Sequence, residues 1–169
     1  AGGSTQERTF ALVNYLQNII GLNTMAHYTC VNATQDKIAN DIKHLTEMGI
    51  NNLMLLRGDP PKGKDKFEAV ENGFKHASEL ISFVKESNDV CVGAAAYAEK
   101  HVEADSLDED INNLKIKMEA GADFLITQMF FENDYYFNFL EKLRQKGITC
   151  RVIPGIIPIT NFNQIKRFA

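Results

Sequence analysis

Residues suited to chemistry stand directly after a short apolar run in the first half of the sequence. The run 52–56 is followed by Arg57-Gly58-Asp59 and then by two prolines. Because proline has no backbone N–H to donate to a sheet, a strand over this run must end here. Gly58 allows a close backbone approach between a fixed cation and a carboxylate. The turn therefore predicts a functional site, and the alternative is a solvated turn with a local ion pair.

The other apolar runs of the chain also end in polar or special residues. In chain order these are His27 with Thr29, Tyr97 with Glu99 and His101, Gln128, and Pro154-Gly155. A doubly wound sheet concentrates its ligand residues at one switch point, whereas a (β/α)8 barrel builds its site from every strand end. The recurrence favours a functional site over a single solvated turn, and it favours the barrel.

The elements that must position these residues are five strands alternating with helices, a pattern typical of parallel βα units. The strands are predicted over 23–31, 52–56, 90–97, 124–128 and 151–155. The helices are predicted over 6–20, 35–48, 73–87, 107–120 and 134–146, with Thr34 and Ser106 as caps and Glu109 completing a capping box. No Gly-x-Gly-x-x-Gly follows any strand, which argues against a Rossmann fold.

The predicted fold class is therefore α/β, a (β/α)8 TIM-type barrel that is incomplete in this chain. We expect residues 1–169 to form part of a single barrel domain, with the first two strands and the last strand absent. An open set of parallel strands exposes two edges, so we expect the isolated piece to be inactive.

Composition narrows the function classes. The net charge is −4 with a pI of about 5.6, which argues against a nucleic-acid partner. No run approaches the length of a membrane span, and no signal peptide is recognisable. The three cysteines, Cys30, Cys91 and Cys150, have no metal-like spacing and lie in or beside apolar runs. They predict buried, reduced thiols in a cytoplasmic protein, and we expect no metal site.

A series of short motifs in this order resembles the methylenetetrahydrofolate reductase family. The motifs run from the first residue to the last: Ala1-Gly2-Gly3-Ser4-Thr5, His27-Tyr28-Thr29-Cys30, Leu56-Arg57-Gly58-Asp59-Pro60, Ala95-Ala96-Tyr97-x-Glu99-x-His101, Gly121-Ala122-Asp123, Ile126-Thr127-Gln128, Ile153-Pro154-Gly155-Ile156-x-Pro158, and Asn161-Phe162 with Gln164. Each motif alone is weak, but the ordered set is a specific signal.

The resemblance implies a cytoplasmic barrel, homo-oligomeric when full length, that binds FAD. Hydride would pass from NADH or NADPH through the flavin to 5,10-methylenetetrahydrofolate, giving 5-methyltetrahydrofolate. By matching positions, the FAD contacts would be Ala1, His27, Arg57, Gly58, Asp59, Ala77, Tyr97, His101, Ala104, Asp110, Asn113 and Lys117. Folate and nicotinamide would use Asp59, Gln128 and Gln164.

The implied roles fit the chemistry of the side chains. Arg57 and Lys117 suit a pyrophosphate, the first as a planar fork and the second as a point charge. Asp59 would stabilise the cationic iminium formed when the methylene bridge of the folate opens. Gln128 offers a donor and an acceptor to a pterin or a carboxamide. The family's proton-donating glutamate lies on the first barrel strand, which this chain lacks.

Other interpretations of the same residues remain open. His27 is equally consistent with a core histidine, Lys117 with a solvent-facing lysine, and Asp110 with Asn113 as surface polar residues on one helix face. A phosphate-binding aldolase-type barrel would use Arg57 and Asp59 on a sugar phosphate, although no strand-end lysine or metal spacing supports it. A non-catalytic flavin-binding barrel is the third alternative.

Overall fold

The computed structural model describes residues 6–60, 63, 66–158 and 160. Their five parallel strands form one sheet in chain order: β1 Met25–Thr29, β2 Asn52–Leu56, β3 Cys91–Ala96, β4 Phe124–Thr127 and β5 Arg151–Ile153. The α-helices are α1 Gln6–Asn14, α2 Gln35–Glu47, α3 Ala77–Ser87, α4 Leu107–Glu119 and α5 Asn133–Gln145. The predicted parallel βα units are confirmed. Every crossover advances one strand in the same direction without a switch point, which is consistent with part of a TIM-type barrel.

The two faces of the sheet differ in burial. Alternate residues such as Leu53, Leu55 and Val92 are fully buried in the main hydrophobic core. The opposite face carries a row in register across the strands, His27, Met54, Gly93, Phe124 and Arg151. Gly93 leaves room for the Phe124 ring in this row, because a Cβ there would lie 2.8 Å from that ring. The helices thus cover one face, and His27 is exposed on the other.

The helix starts follow local capping chemistry. Thr34 accepts a hydrogen bond from the Lys37 amide at 3.3 Å, which confirms the predicted cap of α2. Ser106 accepts from the Glu109 amide at 3.1 Å, as predicted for α4. The Glu109 carboxylate, however, accepts from the amide of residue 105 rather than from that of Ser106. The capping box is therefore shifted by one residue on its return bond.

The helix predicted over 73–87 begins later than expected, at Ala77. The carboxylate of Glu79 accepts hydrogen bonds from the amides of Lys75 and His76, at 2.7 and 3.1 Å. The Glu79 carboxylate thus caps the start of α3 by satisfying the His76 amide, which has no partner within the helix. Its bond to the Lys75 amide connects the helix to the preceding loop. Phe74 lies in that loop, where its ring packs against Phe83 at 5.2 Å.

The first helix changes type halfway. The helix predicted over 6–20 is α-helical to Asn14 and a π-helix over Tyr15–Ile19. Side chains of the π segment bond to other elements: Gln17 Nε2 donates to the carbonyl of Gly49 at 2.8 Å, and Asn18 Nδ2 donates to that of Met48 at 2.9 Å. The widened turn therefore coincides with the point where this helix bonds to the end of α2.

Three further expectations concern cysteines, membranes and metals. All three cysteines are free; Cys30 is buried as predicted, whereas Cys150 is only half-buried and Cys91 is exposed, so the prediction of burial was wrong for Cys91 and met only in part by Cys150. The thiol of Cys91 belongs to the less covered face of the sheet. Among the described residues, none of the helices is both long and apolar enough to cross a membrane. The same part of the chain holds no cluster of three or more metal-ligating side chains.

Candidate functional site

Charged and aromatic side chains converge where β2 and β3 end. This group, the β2–β3 cluster, comprises Arg57, Asp59, Tyr97, His101, Glu103, Asp110 and Lys117. The ring of Tyr97 meets that of His101 edge-on at 4.7 Å. Burial raises the pKa of Tyr97, and the charges of Asp110 and Asp59 raise it further. The structure thus brings together the predicted residues of two neighbouring strand ends.

Arg57 is held by two partners. Its Nη1 and Nη2 donate to the two carboxylate oxygens of Glu103, at 2.7 and 2.8 Å. Its guanidinium carbon lies 5.2 Å from the ring centroid of Phe67. The hydrogen bonds to Glu103 raise the pKa of Arg57, and the same bonds lower the pKa of Glu103. The alternative interpretation of this turn was a local ion pair; the carboxylate that holds the Arg57 guanidinium instead belongs to the β3–α4 loop, 46 residues away.

The backbone of the Arg57 turn is held by a hydrogen bond from the buried Cys30 and by close packing against β1. The buried thiol of Cys30 donates to the carbonyl of Arg57 at 3.3 Å. Burial raises the pKa of Cys30 to about 11, so the thiol keeps its proton for this bond at neutral pH. Gly58 has φ +90°, and a Cβ there would lie 3.1 Å from that of Thr29. Glycine is therefore needed for both the conformation and the close approach of the turn to β1.

The β3–α4 loop is shaped by Asp110. This carboxylate is 4% exposed and accepts a hydrogen bond from the His101 amide at 2.9 Å. His101 Nδ1 in turn accepts from the Glu103 amide at 3.1 Å. These two bonds place the Glu103 side chain beside Arg57. The interpretation of Asp110 as a surface residue is wrong, since it is buried and bonded to the loop.

Lys117 points toward the sheet and not toward solvent. Its ammonium group donates to the carbonyl of Ala95 on β3 at 2.9 Å. Burial lowers the pKa of Lys117, and the nearby Asp110 carboxylate opposes this shift without overcoming it. The solvent-facing alternative is therefore wrong. Lys117 as a whole is half-buried, but its ammonium group is largely desolvated beside the end of β3. Such a cation is placed for an anionic ligand, and it carries a desolvation cost.

The desolvation cost of the Lys117 ammonium group should be measurable as a change in stability. In the full-length protein, Lys117→Met should raise the free energy of unfolding by about 1 kcal/mol at pH 7, because it removes a desolvated charge that the Ala95 carbonyl and the Asp110 carboxylate compensate only in part. The folded-state pKa lies below the unfolded one, so the unfolded state binds more protons between the two values. Wild-type stability should therefore rise with pH through that window, and the variant should lose the rise. Urea unfolding at pH 7 and pH 10 measures both effects.

Lys115→Met is the matched control for this substitution. Lys115 lies on the same helix, is 55% exposed and pairs with Glu119 at 4.0 Å. Its replacement should leave both the stability and its pH slope nearly unchanged, because exposed pairs contribute little. Equal effects of the two substitutions would contradict a special environment at Lys117.

The other residues predicted from the sequence to bind cofactor or substrate are not part of the β2–β3 cluster. Ala77 is the half-buried first residue of α3, and Ala104 is buried in the β3–α4 loop. Asn113 is exposed on α4, and the exposed Gln128 folds its Oε1 onto the amide of Met129 at 3.0 Å. His27 lies on the less covered sheet face, where partial loss of hydration lowers its pKa. Ala1 and Gln164 lie outside the described residues.

Three contributors to the site were missed in the sequence: Glu103, Cys30 and Phe67. Glu103 is 46 residues from Arg57 in the sequence, and the residues on either side of it have the composition of an ordinary polar loop. Cys30 was interpreted only as a buried thiol, and Phe67 lies between the second predicted strand and the third predicted helix, with no function predicted for it. Their roles depend on side-chain contacts across the strand ends, which periodicity and spacing do not encode.

Comparison with known proteins adds independent findings. The profile of the family described as Methylenetetrahydrofolate reductase matches residues 1–169. "Methylenetetrahydrofolate reductase (NADH) 1" of Arabidopsis thaliana is 39% identical over 180 residues, covering 100% of this chain and 30% of the relative. "5,10-methylenetetrahydrofolate reductase" of Escherichia coli K12 is 37% identical, covering 100% of this chain and 55% of the relative. The chain therefore spans between about a third and about half of these relatives' lengths.

Solved structures with low sequence identity share the fold. The crystal structure of 2,3-dimethylmalate lyase, a PEP mutase/isocitrate lyase superfamily member, superposes with a TM-score of 0.63 at 13% identity. The match covers 97% of this chain and 62% of that structure. An oxaloacetate acetylhydrolase complex gives a TM-score of 0.63 at 12% identity, covering 98% of this chain and 58% of the other. At these identities the likeness concerns the fold alone.

Proposed function

The chain belongs to the methylenetetrahydrofolate reductase family, and we propose that the whole protein reduces 5,10-methylenetetrahydrofolate to 5-methyltetrahydrofolate with NADH or NADPH. The proposed folate substrate is the one named for the E. coli relative, and NADH is the reductant named for the Arabidopsis relative. The observation that carries the proposal is the convergence of Arg57 and Lys117 with Tyr97 at neighbouring strand ends. Free thiols are consistent with a cytoplasmic location.

We propose that the five βα units belong to a single (β/α)8 barrel. The strand order is sequential, and one sheet face is lined by His27, Met54 and Phe124 with no described helix across it. Such a face suits a barrel interior, and the strand ends then lie at the mouth where barrel enzymes place their sites. The further strands would come from the rest of the relatives' length.

The residues of the β2–β3 cluster fit a dinucleotide such as FAD. Arg57 offers a fork and Lys117 a point charge, the two side chains that bind phosphate groups best. Gly58 brings the backbone close, and the half-buried ring of Tyr97 provides an apolar surface with a polar tip. FAD, when bound, supplies the hydride transfer between nicotinamide and folate. In this proposal Arg57 and Lys117 hold the diphosphate.

The remaining positions have proposed roles of two kinds. Asp110 acts on the cofactor site through the loop, since its carboxylate is bonded to the His101 amide. The exposed carboxylate of Asp59 stabilises positive charge that develops on the folate, and Gln128 orients the substrate through donor and acceptor. The other proposed FAD contacts are Ala1, His27, Gly58, Ala77, Ala104 and Asn113, and Gln164 is a further substrate contact.

The test is the visible spectrum of the full-length protein before and after anaerobic NADH. A flavin band that bleaches with NADH and returns on addition of 5,10-methylenetetrahydrofolate supports both halves of the reaction. Asp59→Asn should keep the band and its bleaching but slow the return about a hundredfold, as loss of an electrostatic group does. A colourless protein, even with added FAD, would overturn the proposal and favour the phosphate-binding barrel.

A further inference from the structure

The guanidinium fork of Arg57 is already occupied by an anion of the chain itself. Both carboxylate oxygens of Glu103 are bonded to it, at 2.7 and 2.8 Å, in the end-on geometry that a phosphate group also uses. Arg57 itself is 25% exposed and Glu103 53% exposed. The carboxylate is therefore the more exposed partner of the pair, and it covers the Nη1 and Nη2 donors that a phosphate group would need.

Charge balance argues against simultaneous occupation by Glu103 and a diphosphate. The β2–β3 cluster holds two cations, Arg57 and Lys117, against three carboxylates, of Asp59, Glu103 and Asp110, a formal sum of 2 − 3 = −1. A diphosphate adds two negative charges next to this sum. Like charges at contact distance in a half-buried site repel strongly. Removal of Glu103 from the fork brings the sum to zero before the ligand binds.

The two partners differ in how firmly they are held. Arg57 is fixed at its backbone by Cys30 and at its guanidinium face by Phe67. The backbone amide of Glu103 is bonded to His101 Nδ1, but its carboxylate is 53% exposed, and the residue lies in a two-residue turn with Val102, which is 86% exposed. Of the pair, Glu103 is thus the one that can swing into water, where a carboxylate is well hydrated, while the cation stays in place.

We propose that Glu103 is a built-in competitor of the cofactor diphosphate: it occupies the Arg57 fork in the cofactor-free protein and leaves it when the dinucleotide binds. This inference rests on the proposed function, because it takes FAD as the ligand. Because only molecules with a free Arg57 fork can bind the diphosphate, the apparent affinity for FAD equals the intrinsic affinity multiplied by the fraction of such molecules. Glu103 also shields a half-buried cation from other anions while the site is empty.

The test is a titration of flavin-free full-length protein with FAD, followed by flavin fluorescence. Glu103→Gln keeps the size of the side chain and removes its charge, and it should tighten FAD binding about fivefold, the range of a partly exposed ion pair. Glu103→Ala should tighten it at least as much. Riboflavin, which lacks the diphosphate, should bind wild type and variants equally.

Asp105→Asn is the matched control. Asp105 lies two residues along the same loop, is exposed, and makes no ion pair with Arg57 in the described part of the chain. Its neutralisation should leave FAD affinity nearly unchanged. Salt dependence gives a second readout: wild type exchanges one anion for another, so its affinity should fall less steeply with salt than that of Glu103→Gln.

The outcomes separate the two proposals. If wild type binds no FAD, the proposed function fails and the competitor role fails with it. If wild type binds FAD but Glu103→Gln binds it equally or more weakly, only the competitor role is overturned, and Glu103 instead orients Arg57. Equal tightening by Asp105→Asn, or equal tightening toward riboflavin, would also overturn it, because the effect would then not depend on the fork.

Discussion

Replacing Arg57 with alanine in the full-length protein should weaken FAD binding about a hundredfold. Hydrogen bonds to charged groups contribute roughly 1.5–3 kcal/mol, and 1.4 kcal/mol corresponds to a factor of ten in affinity. The fork of Arg57 is the best-placed donor in the β2–β3 cluster, at the end of β2 and backed by the Cys30 thiol. Its loss also leaves the Glu103 carboxylate without its partner, which adds repulsion. Fluorescence titration of the flavin-free protein measures the dissociation constant.

Two further variants show whether the fork or the charge matters. Arg57→Lys keeps the charge without the planar fork, so it should recover only part of the affinity, to within about tenfold of wild type. Lys43→Ala removes a cation that is 73% exposed on α2 and should have no effect. Thermal melts of all three variants must match wild type within a few degrees. A folded Arg57→Ala protein with wild-type affinity would place the diphosphate elsewhere.

The elements that position this site could be predicted because each depends on neighbours in sequence. The strand before Arg57 follows from an apolar run stopped by prolines, and the structure ends it at Leu56. The cap at Thr34 and the end of the helix predicted over 107–120, where Gly121 has φ +108°, are likewise local. Strand ends were overestimated, as for β1, because a polar residue at a strand end does not reveal where pairing stops.

The contacts that give the site its charge balance could not be predicted. The partner of Arg57 lies 46 residues away, and only the folded βα units bring the loop after β3 over the end of β2. The inward direction of Lys117 depends on the position of α4 against β3 and not on helical periodicity alone. Both are long-range packing effects, whereas sequence patterns report local conformation and burial.

A glycine at the fifth strand end has the tightest surroundings in the described part of the chain. The amide of Gly155 donates to the Thr127 hydroxyl at 2.9 Å, bonding the exit of β5 to the end of β4. A Cβ on Gly155 would lie 2.0 Å from the carbonyl oxygen of Thr127 and 3.1 Å from its carbonyl carbon. Thr127 is 4% exposed and paired within the sheet, so its backbone has no room to move.

Gly155→Ala should therefore lower the free energy of unfolding of the full-length protein by about 3 kcal/mol, the upper range for overpacking against rigid atoms. Gly147→Ala is the control: that residue has φ +79° but no atom within 4 Å of its Cβ position, so only backbone strain of about 1 kcal/mol is expected. Urea unfolding of both variants measures the difference. Because the clash separates β5 from β4, flavin retention should fall with stability in Gly155→Ala and persist in Gly147→Ala. Equal stability of the two variants would mean that the β4–β5 exits are not packed as the structure shows.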